Sequence, residues 1–241
     1  MSDTTAPEEH VIERVGAPRS VSPFAAPREA SSDVILTRLG RELVKRDFGV
    51  TIASSLKDAA DLVMNRLLPE SGAKTVSFGG SMTVREAGLL ESLQAVPGLT
   101  VMNTFDYAIS PAEMLELRRQ SLLCDLFITS ANAVTRQGDI LLLDGVGNRT
   151  AAVQFGPRKV VLLIGRNKIC ASLDSAVEYI KGIAAPANAT RLSKKTPCVK
   201  SGYCMDCKSP ERICAYWTVL KRSRPQPGRI HVVLIDEEAG F

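Results

Sequence analysis

Short apolar runs alternate with amphipathic stretches along most of this chain. Apolar runs bounded by turn residues predict buried strands, and they occur at 50–53, 74–78, 99–103, 126–130, 140–143, 160–165 and 230–235. Helical periodicity separates most of them, in stretches near 33–48, 56–68, 84–93, 111–123 and 175–183. Strands that alternate with helices at this spacing predict an α/β fold, with a mostly parallel sheet and helices on both faces.

The two ends of the chain depart from this alternation. Residues 1–32 are rich in Ala, Pro, Ser and charge without a sustained period, which predicts a flexible N-terminal arm. In the alternative, short pieces at 11–12 and 20–24 dock onto the body or onto a second subunit. From 186 to 229 prolines interrupt a segment dominated by Lys and Arg, and 230–241 returns to a strand pattern. We therefore expect an arm, a core over 33–185, a basic Cys-rich insertion over 186–229, and a final strand that rejoins the core sheet.

Composition narrows the class of protein only slightly. The 241 residues are 45% hydrophobic and 23% charged, with a formal net charge of +4. These values are ordinary for a globular protein, and so mild a charge does not by itself indicate nucleic acid or membrane. The chain has no apolar run long enough to cross a bilayer and no signal-peptide pattern at its start. We expect a cytoplasmic protein, in which cysteines stay reduced or bind metal.

Polar residues follow three of the predicted strands. Ligands bind at the carboxyl ends of strands in open α/β sheets, so these residues are candidates for a shared site. Asp144 is the candidate acid–base group, and the other residues could orient or neutralise a carboxylate or phosphate. Asn and Asp beside glycine are also common turn formers, so loop scaffolding is the alternative. The remaining candidates are Ser130, Asn132, Asn148, Arg149 and Lys168.

A glycine turn follows the strand predicted at 74–78. Its residues Gly79, Gly80, Ser81 and Thr83 precede a helical pattern. Backbone N–H groups at such a turn can hold an anion, and glycine lets a ligand approach the backbone. An ordinary strand–helix turn, with Ser81 or Thr83 capping the helix, explains the same pattern.

Four cysteines lie close together in the basic insertion, at Cys198, Cys204, Cys207 and Cys214. Their spacing is C-x5-C-x2-C-x6-C, and four thiolates from a short loop can hold zinc or an iron–sulfur cluster. The spacing matches neither common ferredoxin pattern, so the identity of the metal stays open. Free thiols or a redox disulfide are the alternatives. Cys124 and Cys170 sit beside apolar runs and are expected to be small buried side chains.

Two stretches resemble a known family. The pattern SxNAxTxxGxxxxxDGxGNR, from Ser130 to Arg149, resembles the LUD domain of lactate-utilization proteins. The pattern TPCxxxGYCxDCxSPERIC, from Thr196 to Cys214, resembles the cysteine-bearing branch of that family. The resemblance spans about 33–240. It implies a fold like that of ribose-5-phosphate isomerase, CoA transferases and initiation factor 2B subunits, with the active site at strand carboxyl ends.

Three functions are compatible with these features. The first is a component of a system that oxidises L-lactate to pyruvate, holding a small anionic metabolite and working with iron–sulfur partner proteins. The second is an independent sugar-phosphate isomerase or CoA-transferase-like enzyme, with phosphate at the Gly79–Thr83 turn. The third is a metal-containing binding or regulatory module; it ranks last because only Tyr203, Tyr216 and Trp217 could stack on nucleic acid bases. A homo-oligomer is an open alternative, and no membrane partner is expected.

Overall fold

The computed structural model describes residues 12–17, 26–106 and 108–241. The strands are β1 (Glu13–Val15), β2 (Gly49–Ala53), β3 (Thr75–Phe78), β4 (Thr100–Met102), β5 (Leu126–Thr129), β6 (Ala133–Thr135), β7 (Ile140–Asp144), β8 (Lys159–Gly165), β9 (Ile169–Cys170), β10 (Tyr216–Leu220) and β11 (Ile230–Ile235). The α-helices are α1 (Ala26–Val44), α2 (Leu56–Leu62), α3 (Leu68–Ser71), α4 (Met82–Glu86), α5 (Leu89–Gln94), α6 (Pro111–Gln120), α7 (Asn148–Gln154), α8 (Leu173–Tyr179), α9 (Ala185–Arg191) and α10 (Pro197–Ser201). Elements of both kinds alternate along the chain, so the predicted α/β class is confirmed.

Seven strands form a parallel sheet in the order β1-β2-β11-β8-β5-β3-β4. The last strand, β11, lies between β2 and β8, as the return to a strand pattern near the end of the chain predicted. Four other strands form a second sheet in the order β10-β7-β6-β9. The carboxyl ends of β5 and β8 therefore lie side by side in the centre of the main sheet, where the polar ends of strands were expected to meet.

Alternating side chains of the main sheet enter two separate apolar layers. On β8, Leu162 and Ile164 pack in a cluster with α1, α7 and parts of the second sheet, whereas Val161 and Leu163 pack in a cluster with α2, α4 and α5. Successive side chains of a strand point to opposite faces, so both faces of the sheet are buried. This explains the nearly continuous apolar run on β8 and confirms helices on both faces.

The second sheet differs from the prediction. The runs at 126–130 and 140–143 were expected at one edge of a single sheet, but β5 belongs to the main sheet and β7 to the second. The chain turns at Gly138, which has a φ of 87°, so that β7 pairs antiparallel with β6. A left-handed backbone suits glycine. Both strands still point their polar ends at the same cleft, because the second sheet packs against the main one.

Regular structure also extends into both segments that flank the predicted core. In the expected arm, β1 pairs with β2, and α1 begins at Ala26 rather than at Asp33. The pieces at 11 and 20–24 lie outside the described residues. In the expected insertion, β10 pairs antiparallel with β7, with Tyr216 opposite Asp144. The insertion is thus joined to the strand that carries the candidate acid–base group.

Several helix ends match their sequence signals. Ser110 and Glu113 form a capping box at the start of α6, a pattern typical of helix N-termini, and Ser55 caps α2. The helix expected over 84–93 is divided into α4 and α5 at Gly88, whose φ is 64°. The side chain of Ser81 accepts a hydrogen bond from Val84 N and caps α4. The glycine turn is therefore followed by a helix that Ser81 caps, as the second interpretation of this turn predicted.

Candidate functional site

A cleft of about 200 Å³ lies where β5, β7 and β8 end. Three strand ends and the glycine turn contribute to it, and they come from both sheets. Gly79 and Thr83 do not line the cleft, but each lies against a residue that does: Gly79 against Arg149 and Thr83 against Lys168. The predicted residues that line the cleft are Gly80, Ser81, Ser130, Asn132, Asp144, Asn148, Arg149 and Lys168.

Lys168 is the buried cation at the base of this cleft. It ends the short 3-10 helix Arg166–Lys168, which follows β8, and it is 2% exposed. Its Nζ donates to Thr83 Oγ1 at 2.8 Å and to Ser130 Oγ at 2.9 Å. Burial, and after it the charge of Arg149, lowers the pKa of Lys168 to about 7, although the charge of Glu86 opposes the shift. A large share of this amine is therefore neutral near pH 7.

Arg149 forms a second buried cation beside Lys168. Its Nη2 donates to Asn132 Oδ1 and to the Leu143 carbonyl, both at 2.7 Å. Its Nε is buried without a hydrogen-bond partner in the described part of the protein, and it lies 3.7 Å from Asp144 Oδ1. Burial lowers the pKa of the guanidinium, which Asp144 opposes. Arg149 thus joins the ends of β5 and β7 and leaves one N–H for a further acceptor.

Asp144 is the acidic side chain of the cleft wall. Its Oδ2 accepts hydrogen bonds from the backbone N–H groups of Arg149 and Thr150, at 3.0 and 3.2 Å. The carboxylate thereby holds the start of α7 against the end of β7, as a side-chain cap does. Asp144 consequently has a structural part in placing Arg149, in addition to its position in the cleft.

The glycine turn contributes by letting other groups approach. A Cβ at Gly79 would lie 2.5 Å from Thr129 Oγ1 and 2.7 Å from Arg149 Cγ, whereas one at Gly80 would meet nothing within 4 Å. Thr83 is fully buried, donates to the Ala239 carbonyl and accepts from Lys168. Gly79 thus gives Arg149 room and Thr83 holds Lys168, and the sequence predicted neither role.

Residues that the sequence did not single out complete the cleft. Arg118, on α6, is half-buried and lines the cleft. Arg191, from α9, lines it as well. With Arg149 and Lys168, the lining holds four basic side chains against one acidic side chain, Asp144. No local motif marks Arg118 or Arg191, because each reaches the cleft through the packing of its helix.

A C-terminal segment closes the cleft beside Lys168. Asn167 donates to the Gly240 carbonyl and accepts from Ala239 N, both at 3.0 Å. Gly240 N donates to Glu86 at 2.8 Å. Gly240 has a φ of 57°, and a Cβ there would lie 2.6 Å from Thr83 Oγ1. The segment therefore packs tightly over the hydroxyl that holds Lys168 and keeps water away from the amine.

The four cysteines of the insertion do not form a ligand set. Within residues 12–17, 26–106 and 108–241, no three His, Cys, Asp or Glu side chains are arranged to hold a metal ion. Burial raises the pKa of the Cys214 thiol; contact with Arg212 lowers it, and the charges of Cys204 and Cys207 raise it. These three thiols are thus within electrostatic reach of one another. Binding of zinc or an iron–sulfur cluster at Cys198, Cys204, Cys207 and Cys214 stays a prediction that this geometry does not support.

The other two cysteines lie in apolar layers, as predicted. Cys124 and Cys170 are both buried. Burial raises the pKa of Cys124 to about 12 and raises that of Cys170. Thiols with raised pKa values are poor nucleophiles and poor metal ligands near neutral pH. Their role is packing.

Comparisons with known proteins give a family and a similar solved structure. A family model described as the LUD domain matches residues 36–235. A crystal structure of a DUF162 family protein from Deinococcus radiodurans is similar over 85% of this chain and 97% of that one, with 16% sequence identity and a TM-score of 0.46. The comparison with curated proteins gives no match.

The helices were also compared with the requirements of a membrane span. In the described ranges, none of them combines the length and the apolar character that crossing a bilayer requires.

Proposed function

This chain belongs to the LUD domain family, and on that premise we propose that it is a component of a system that oxidises L-lactate to pyruvate. Membership of this family supports a role in lactate utilization in general terms. The finer part of the proposal is that the cleft at the ends of β5, β7 and β8 binds the 2-hydroxy or 2-oxo acid itself.

The charge of the cleft is the observation that carries this proposal. Arg149 and Lys168 are 8% and 2% exposed, so two basic groups are buried side by side. Asp144 is the one acidic side chain among the lining residues. Burying cations without matching anions is unfavourable, and a bound carboxylate would relieve that cost. Arg149 Nε makes no hydrogen bond in the described part of the protein, although it lies 3.7 Å from Asp144 Oδ1, and a carboxylate that reached it would gain a charge-assisted hydrogen bond.

The size of the cleft favours a small ligand. Its volume of about 200 Å³ is below the roughly 300–1,000 Å³ typical of pockets for drug-sized molecules. A three-carbon acid suits this space better than a nucleotide cofactor does. Ser130 and Asn132, at the mouth of β5, supply polar groups for a hydroxyl or carbonyl at the second carbon.

Titration calorimetry on the full chain tests the proposal. We expect L-lactate and pyruvate to bind at least about tenfold more tightly than lactamide, the neutral amide of the same shape, because only the acids carry the charge that the cleft lacks. Affinity should fall as salt is raised. Equal affinity for lactate and lactamide, or binding of neither acid, would contradict the proposal.

A pair of arginine variants localises the binding. Arg149→Gln removes a buried guanidinium of the cleft, whereas Arg158→Gln removes one that is 83% exposed and follows the carboxyl end of α7 in the chain. We expect the first to weaken lactate binding by at least about tenfold and the second to leave it unchanged. Thermal denaturation of both variants separates lost affinity from lost folding.

A further inference from the structure

We propose that Lys168 is a nucleophile that forms an imine with the ketone carbon of a 2-oxo acid in the cleft. This inference rests on the proposed function, because it uses the same site for the same class of acid. It adds a covalent step that binding alone does not require. It also assigns different chemistry to the two classes of acid, since a 2-hydroxy acid has no ketone carbon with which an amine could form an imine.

The position of the amine is the first argument. Lys168 lines the cleft, and its Nζ is held by two neutral hydroxyl groups, Thr83 Oγ1 at 2.8 Å and Ser130 Oγ at 2.9 Å. A lysine that only balances charge is usually paired with a carboxylate. Here Glu86 acts on the amine through charge alone. The two hydroxyls fix the position of the amine, and no described residue forms a salt bridge with it.

The electrostatics of the cleft favour the neutral, reactive form. Three charged groups face Lys168: Arg149 from α7, Glu86 from α4 and, farther along the wall, Asp144 from β7. Burial and Arg149 together lower the pKa of Lys168 to about 7. A lysine desolvated beside another cation is a known form of activated nucleophile, because its lone pair is available near neutral pH.

The step balances without an oxidant or a metal. The Nζ lone pair forms a C–N bond to the ketone carbon, and the carbonyl π electrons move to oxygen, which takes a proton from the amine. The carbinolamine then loses water as its second amine proton leaves, so amine plus ketone give imine plus one water. Thr83 and Ser130, both in hydrogen-bond contact with Nζ, are placed to carry these protons. Arg149 is placed to hold the carboxylate.

Reductive trapping tests the inference on the full-length protein. The chain is incubated with pyruvate and cyanoborohydride, which reduces imines to stable amines, and is then mapped by peptide mass spectrometry. We expect one carboxyethyl group on Lys168, formed at least about tenfold faster than on any surface lysine, and none with L-lactate. Trapping should speed up as pH rises through about 7, because the neutral amine is the nucleophile.

Matched variants and a parallel binding measurement separate the outcomes. Lys168→Met should abolish the adduct, whereas Lys159→Met, at the exposed amino end of β8, the strand before Lys168, should leave it unchanged. Mapping on the unmutated chain decides the question even if Lys168→Met fails to fold. If calorimetry shows pyruvate bound but no adduct forms at Lys168, the imine is overturned and the proposed function stands. If neither lactate nor pyruvate binds, both are overturned.

Discussion

His231 is a half-buried imidazole at the opposite end of the main sheet from the cleft. It lies near the start of β11, where Nε2 is 3.0 Å from Thr51 Oγ1. Burial, followed by the charge of Arg66, lowers its pKa to about 4 from the ordinary value of 6.5, although Glu13 opposes the shift. The unfolded chain therefore binds this proton more strongly than the folded chain between pH 6.5 and 4. Folding stability is lost as pH falls through that window.

Replacing this histidine should remove that part of the acid sensitivity. We expect the free energy of unfolding of the unmodified chain to fall by up to about 1.4 kcal/mol per pH unit in this window from His231 alone. His231→Gln should show a shallower slope. Urea denaturation between pH 4 and 7 measures both slopes. His10→Gln, at the other histidine of the chain, is the control, and equal slopes in the two variants would contradict the assignment.

At the scale of single residues, the sequence predicts which side chains meet in the cleft but not how deeply they are buried. Asn132, Asp144 and Arg149 follow apolar runs, so their meeting at strand ends follows from strand direction. The burial of Lys168 depends on Thr83 and Gly240, which are far away in the chain. Its lowered pKa could not be predicted, because nothing local to 166–168 requires it.

At the scale of elements, the turn between β3 and α4 is shaped around Arg149. Gly79→Ala would place a methyl group 2.5 Å from Thr129 Oγ1 and 2.7 Å from Arg149 Cγ. We expect a loss of about 1–3 kcal/mol in unfolding free energy, together with weaker lactate binding as Arg149 is displaced. Chemical denaturation and calorimetry measure the two effects.

The neighbouring glycine offers a control for stability. A Cβ at Gly80 would meet nothing within 4 Å, so Gly80→Ala should change the unfolding free energy by less than about 0.5 kcal/mol. Equal losses in both variants would show that the turn is sensitive to any side chain, rather than to the space that Arg149 occupies. The sequence shows two adjacent glycines, and only the path of Arg149 distinguishes them.

At the scale of the whole molecule, ion pairs fasten the second sheet to α1. Asp139, in the turn between β6 and β7, is 6% exposed. It accepts from Arg46, which follows α1, at 2.6 Å and from Lys221, which follows β10, at 3.2 Å. Three distant parts of the chain thus meet at one carboxylate.

Removing this carboxylate should loosen the joint between the layers. Asp139→Ala leaves the Arg46 guanidinium, whose side chain is 26% exposed, without its partner, so we expect a loss of roughly 2–4 kcal/mol in unfolding free energy. Asp61→Ala breaks an exposed i,i+4 pair with Lys57 and should cost less than about 1 kcal/mol. Equilibrium urea denaturation compares the two, and similar losses would refute a special role for Asp139.

The main sheet was predictable because each of its central strands carries its own apolar run and turn signals. The second sheet was not, since its pairing of β7 with β10 joins parts of the chain on either side of β8 and the cysteine segment. The proline-rich and basic composition of 186–229 also masked the strand Tyr216–Leu220. Three-residue β6 and two-residue β9 are too short to give a period.

The walls of the cleft belong to different sheets, so a ligand in the cleft would contact both sheets at once. Arg149 begins α7, next to the second sheet, while Lys168 follows the central strand of the main one. When Lys168 is protonated, the two cations repel each other across the junction of the two sheets. The carboxylate of an acid bound between them would offset this repulsion. Ligand binding should therefore stabilise the contact between the two sheets.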